Sequence, residues 1–433
     1  MKTERKSIIN LLKKAKRPVI AEILEKIWDL SLSEYANSLW QNKINSSTIE
    51  NELKEAFEKE FIRIGFGLHE AKFFSARLEK TKVIQTSTHL TASEGPTFLA
   101  IHHLALAGMP PEDTYFVGAY SGVPFSNSAW SGCLNYSNHF KLEEVIAMEY
   151  KEFSDLKRAE IDRSKDSPER RISLIPGNMR NRLVFQSKIP GKLVKQVPYF
   201  ADPIKRLTPF AEKGNDFSVW ATQFCTNQLR YLIRDKSIIY FDINEVIRSY
   251  LINVLKITDH PLHTMLFDSK IREKILRIFS PELPFFSIEI FCNNKFRHQS
   301  VTIKDGVLWS QNYRLDISVE NIIQELEKGV LCPSLFIVFT TLCFLNGLIC
   351  FGSFKQVEYL TDFKKKWLKN NLLEKEFVDS VNVSALTSGL CLDHSGRKIF
   401  PLDLILGLDW NLDKNITIAD FIKPLLPRMG VFI

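Results

Sequence analysis

The chain has 433 residues, 45% hydrophobic and 25% charged, with 57 basic and 50 acidic side chains giving a net charge of +7. This is an ordinary globular balance on a chain long enough for a large core, and it argues against wholesale disorder. Residues 1–20 hold seven basic side chains and one acid, so the other 413 carry about +1. No basic stripe interleaved with aromatics marks a nucleic-acid partner.

Residues 1–81 read as a helical N-terminal region. Ile20, Ile23, Leu24, Ile27 and Trp28 recur at three- and four-residue spacing, the period of an amphipathic helix. The basic first helix carries Ile8, Ile9, Leu11 and Leu12. It reads as a solvated terminal face more readily than as a contact with an anionic surface. From Lys82 the texture changes. "KVIQT" predicts a buried strand, "PTFLAIHHLALAG" a helix with Pro96 in its first turn and Gly108 at its end, and "TYFVGAY" a second strand. Thr91 and Glu94 suggest a capping box upstream of that helix. Strand, helix and strand in so short a span form the unit of a parallel sheet. Further strands are expected at "RISLIP", "NRLVFQS", "SIIYFDI" and "FFSIEIFC", with a charged surface helix and loop over Lys151–Arg171. The fold class is therefore α/β, a mostly parallel sheet core with a helical N-terminal region. Residues 82–370 form that core, and 371–433 a C-terminal α/β segment packing on it.

"LCPSLFIVFTTLCFLNGLICFG" (Leu331–Gly352) has no charge in 22 residues, long enough for a bilayer. Its proline, glycines, hydroxyls and Asn346 point instead to a buried helix from Ser334 to Leu345, a turn at Asn346-Gly347 and a buried strand from Leu348 to Phe351. No transmembrane segment is expected. The seven cysteines are scattered, without any CxxC pair or secretory signal, which fits reduced thiols in a cytoplasmic protein. No metal site is expected. His102 and His103 are adjacent on one helix and point to different faces, and His260 and His263 lack a third ligand.

Three loops carry candidate chemistry. In an open parallel sheet, ligands bind beyond the carboxyl ends of the strands, near helix N-termini. The first loop, "TSTHLTASEGP" (Thr86–Pro96), holds that position. The hydroxyls of Thr86, Ser87 and Thr88 suit phosphate or carboxylate oxygens, and His89 suits proton transfer near neutral pH. The second, "AYSGVPFSNSAWSGC" (Ala119–Cys133), offers Ser121, Ser126 and Asn127 as pocket lining. It is neither a P-loop nor a GxSxG elbow. The third, "CFGSFKQVEYL" (Cys350–Leu360), joins a buried strand to a helix at Gly352, where backbone can approach a ligand closely. Ser353 and Gln356 form a capping box in this reading, and Lys355, Gln356 and Tyr359 lie within the first two helical turns.

The order and spacing of these segments resemble the cysteine-adding enzyme family of bacillithiol biosynthesis. The first loop has the length of that family's Thr-Gly-(His/Gln)-Gln loop and keeps its first Thr and its Gly95-Pro96 pair. "RLVFQSKIPG", "SIIYFDINEVI", "SVENIIQELEKGVLCPSLF" and "NGLICFGSFKQVEYLTDFKKKW" also look similar, so the likeness spans about 82–367 in patches. It implies a Rossmann-like core in which the first and third loops face one pocket. The chain departs from the family at Ser87 (glycine there), His89 (glutamine) and Cys332 (arginine). In place of the family's acidic-histidine cluster it has "AYSGVPFSNSAW".

The expected function is a biosynthetic enzyme joining an amino acid or amine to a small polar metabolite. Thr86, Thr88 and His89 would orient and deprotonate the nucleophile. Ser353, Lys355 and Gln356 would hold the anionic end of the other substrate. A catalytically silent relative that binds a metabolite or a protein is an alternative, as is a group-transfer enzyme using a nucleotide-linked donor. No motif names a cofactor, and a homodimer is left open.

Overall fold

A computed structural model describes residues 2–41, 48–90, 92, 94–126, 132–137, 169–279 and 284–432. Thr91, Asn127 and residues 151–168 of the charged stretch lie outside the described residues, and with them the Thr91 capping box and the surface helix expected there. Four strands, Val83–Gln85 (β1), Thr114–Ala119 (β2), Ser237–Asp242 (β5) and Ile349–Phe351 (β11), make an all-parallel sheet in the order β11–β1–β2–β5. Nearly every residue of these strands is buried. Helices cover both faces, which is why the strands read as unbroken apolar runs and not as alternating ones.

Successive strand residues feed opposite cores. Val83, Tyr115, Val117, Ile238 and Tyr240 face one cluster. It also takes helices Lys2–Lys14 (α1), Pro18–Ile27 (α2), Leu32–Gln41 (α3), Pro96–Ala107 (α6) and Phe217–Leu232 (α7), and the segment from Ala385 to Val431. Ile84, Phe116, Ile239 and Phe241 face the other cluster, with Asn51–Arg63 (α4), Leu68–Thr81 (α5) and Ile243–Val254 (α8). The N-terminal helices are thus divided between the two faces of the sheet. Ile8, Ile9 and Leu12 of α1 are buried in the first cluster. The apolar stripe that an anionic surface would need is already covered, and the basic residues are the solvated side of a packed helix.

Gly108, at the end of α6, sits where a side chain cannot go. A Cβ there would lie 2.2 Å from the backbone carbon of Ala36 in α3. Gly108→Ala should therefore force α3 and α6 apart and lower stability by about 2 kcal/mol or more. Urea unfolding followed by tryptophan fluorescence measures it, and an unchanged midpoint would refute the close approach.

The uncharged stretch behaves as its polar residues suggested. Cys332–Pro333 (β10) leads into the helix Leu335–Phe339, whose continuation Thr340–Leu345 widens to a π-helix. Gly347 then turns with φ +64° into β11. Among the described residues no helix is long and apolar enough to cross a membrane.

Three expected strands fall elsewhere. Only the first three residues of "RISLIP" are strand, at the end of Glu169–Ser173 (β4), which pairs antiparallel with Cys133–Ser137 (β3) outside the main sheet. "NRLVFQS" contains a 3-10 turn, Val184–Gln186, because this segment spends its backbone bonds on Ser121 and Val123 of the neighbouring loop. "FFSIEIFC" is Phe286–Cys292 (β6), but it belongs to a separate antiparallel sheet. That sheet includes Lys295–Lys304 (β7), Val307–Ser310 (β8) and Tyr313–Asp316 (β9), in the order β10–β6–β7–β8–β9. Its turns are Asn293-Asn294 and Asp305-Gly306, all four residues at positive φ, the geometry that tight hairpins require.

Candidate functional site

From β1 the chain moves outward to β2 and then β5, and it returns on the opposite side of β1 as β11. The switch point therefore lies between the carboxyl ends of β1 and β11, where open α/β sheets bind ligands. Beyond β1 the backbone stays paired to both neighbours. The Thr86 amide donates to Phe351 O (3.1 Å), Tyr120 donates to Thr88 O (2.9 Å), and Leu90 donates to Tyr120 O (3.1 Å).

The first and third loops meet here. Gln356 Nε2 donates to Thr86 Oγ1 at 2.7 Å, and the Thr86 and Ser87 hydroxyls lie 3.3 and 3.4 Å from Phe351 O. Beneath them Gln85 ties the floor together. Its Nε2 donates to Thr387 Oγ1 (3.1 Å) and its Oε1 accepts from the Ser87 amide (3.1 Å). The expected capping box does not form. Ser353 begins Phe354–Asn370 (α9) without a side-chain cap. Gln356 is drawn to the nearer Thr86 hydroxyl, and the Phe354 amide finds Ser388 Oγ at 3.0 Å. Gly352 is engaged by its neighbours. Its amide and carbonyl pair with Ala385 and Thr387, and a Cβ would meet the Gln356 side chain at 2.9 Å.

His89 stands at the open side of the loop. Its ring lies 6.2 Å from that of Phe98, and its Nδ1 is shielded from solvent without a hydrogen-bond partner. Burial lowers the imidazole to about 4, so it is neutral at pH 7. The residue as a whole is half-buried. The buried Thr88 hydroxyl likewise has no partner. Gly95 caps α6 with an extended backbone, and nothing lies within 4 Å of where its Cβ would be.

Other expected residues sit apart. Lys355 is exposed. The Tyr359 ring packs on Phe339 and Phe363, with centroids 5.5 and 5.7 Å away, and burial raises its phenol. Ser126 is exposed and reaches Asn181 at 3.4 Å. Ser121 is fully buried at the end of β2, and its hydroxyl donates to Asp242 Oδ1 at 2.5 Å.

Ser121 opens onto a network that the loop-by-loop reading missed. Asn244 Oδ1 accepts from the Ser121 and Gly122 amides at 2.8 and 3.0 Å, and its Nδ2 donates to Pro333 O at 3.1 Å. Asp242 caps α8 through the Asn244 amide. Glu60, clamped by Arg63 Nε at 2.6 Å, accepts from the Asp242 amide. Burial raises Asp242 to about 7, with Arg63 pulling down and Glu60 pushing up. The signal in the sequence was "FDIN", a strand running into an N-cap aspartate. A second network lies under the sheet. His102 Nδ1 is 2.9 Å from Tyr115 OH, and its Nε2 is 2.8 Å from both Tyr240 OH and Glu94 Oε2. Tyr240 also donates to Glu94 Oε1. Glu94 Oε2 has no aligned hydrogen bond, so its closeness to Nε2 is an electrostatic contact while the imidazole bonds to the tyrosines. Both networks fasten the rim loops from below.

No known protein-family model, no curated protein and no solved structure matches the chain.

Proposed function

We propose that the chain is an enzyme that joins an amino acid or amine to a small polar metabolite in the crevice between β1 and β11, as in the bacillithiol cysteine-adding family that its loops resemble. The observation that carries this reading is the Gln356–Thr86 hydrogen bond, which sets two distant loops on one rim beside a partnerless histidine. The amine attacks an activated carbon of the metabolite, a C–N bond forms, and the leaving group departs with the electron pair of its bond. The neutral His89 imidazole accepts the amine's proton. The Ser87 and Thr88 hydroxyls orient the acceptor. Gln356, once released from Thr86, holds its polar end. Such an enzyme fits a cytoplasmic biosynthetic pathway.

The mutual satisfaction of Gln356 and Thr86 favours a second reading, a binding protein without chemistry. A thermal-shift screen of amino acids, amino sugars and nucleotides finds the ligand, since binding to the native state alone raises stability. With that ligand and its co-substrate, His89→Ala should cut kcat by about 10²–10⁴-fold while the thermal shift persists. A base that titrates near 4 must be unprotonated to work. Once the substrate amine's own protonation is normalised out, the His89-dependent part of the rate should therefore stay level from pH 8 down to about 5 and fall as pH approaches 4. Unchanged turnover in His89→Ala would remove the base, and a ligand-induced shift without turnover in any pairing would favour the binding protein.

A further inference from the structure

A cleft of about 420 Å³ opens beside the first turn of α7, within the size range of small-molecule sites. Lys188, Asn215, Asp216, Val219, Trp220 and Phe210 line it. One end is charged. Asp216 immediately precedes α7 yet does not cap it. Its carboxylate pairs with Lys188, and both side chains remain largely exposed. The other end is apolar. Trp220 is buried and donates its indole N–H to Pro209 O at 3.2 Å. That bond fixes the residue before Phe210, whose ring stands 86% exposed at the mouth. Phe210, beside the half-buried Val219, is an apolar surface left in water at the cleft.

We infer that this cleft binds a zwitterionic α-amino acid with an apolar side chain. Asp216 takes the ammonium group, Lys188 takes the carboxylate, and the side chain lies against Phe210 and Val219. An exposed ion pair contributes little to the fold and is readily exchanged for two ligand charges of the same arrangement. The site is separate from the crevice. α7 packs against β5, the far edge strand of the sheet, whereas the crevice lies between β1 and β11.

Calorimetric titration of the full chain with L-phenylalanine tests this. Phenylalanine should bind saturably. N-acetyl-phenylalanine, which lacks the ammonium group, phenylalaninamide, which lacks the carboxylate, and glycine, which lacks the side chain, should each bind at least about tenfold more weakly. Phe210→Ala and Asp216→Asn change exposed side chains, so they leave the core intact; each should weaken phenylalanine by about tenfold or more, while His89→Ala should not change it. Absence of saturable heat up to about 10 mM, or equal binding of phenylalanine and its amide, overturns the inference. Binding that survives both Phe210→Ala and Asp216→Asn would place the amino acid elsewhere on the molecule and overturn this site.

Discussion

Replacing His102 with alanine should lower the unfolding free energy by about 3–5 kcal/mol. The imidazole is fully buried and joins Tyr115, Tyr240 and Glu94. Its removal leaves the Tyr115 and Tyr240 hydroxyls each one bond short in a space that water does not reach. The cavity adds to the loss. His102→Gln restores part of the bonding and should recover part of the stability. Glu94 precedes the Gly95-Pro96 helix start, so the loss should loosen the His89 loop as well. Urea unfolding gives the energy, and hydrogen exchange across Thr86–Gly95 gives the local effect. A penalty below about 1 kcal/mol would mean that the cluster carries no structural weight.

Asn244→Ala is expected to be as damaging, by about 3–5 kcal/mol. The buried Ser121 and Gly122 amides lose their acceptor at once, each at about 1–3 kcal/mol, and the Pro333 carbonyl keeps the Tyr120 hydroxyl at 3.3 Å. Asn244 is also the strut between the parallel sheet, through β2 and β5, and the antiparallel sheet, through β10. The amides of Ser121 and Gly122 should therefore lose exchange protection in the variant, while those of Phe116 and Val117 within β2 keep theirs. Uniform loss across β2 would show instead that the whole sheet had been weakened.

The parallel core was legible because both its faces are covered, so its strands are apolar runs bounded by Gly, Pro and Asn. The Leu331–Gly352 stretch was legible for the complementary reason, that Asn346 and Gly347 break an apolar run at a turn. The hairpin sheet was missed although Asn293-Asn294 and Asp305-Gly306 mark its turns. β7 is mostly exposed, and a solvated strand gives no hydrophobic period to read. "NRLVFQS" has the composition of a strand, but its bonding partners come from a distant loop. At the crevice, local sequence placed Thr86 and His89 at the sheet's rim, and the resemblance paired the first loop with the third. Local sequence alone misled at Ser353 and Gln356. A capping box was the nearest use for that glutamine, and only the fold brings Thr86, 270 residues away, within reach. Glu94 and His102 were read separately, since nothing in their spacing says that Tyr115 and Tyr240 stand between them.

The closure of the β11 end by Ala385–Thr387 has a consequence for biogenesis. Gly352 bonds to that segment on both sides, and Tyr35 OH, in α3, donates to Leu386 O at 2.9 Å. A ribosome must therefore deliver the chain through Thr387 before the rim can close over a helix made 351 residues earlier. Until then the nascent molecule has to shield an unfinished sheet edge, so this protein is expected to mature slowly and to lean on chaperones during synthesis.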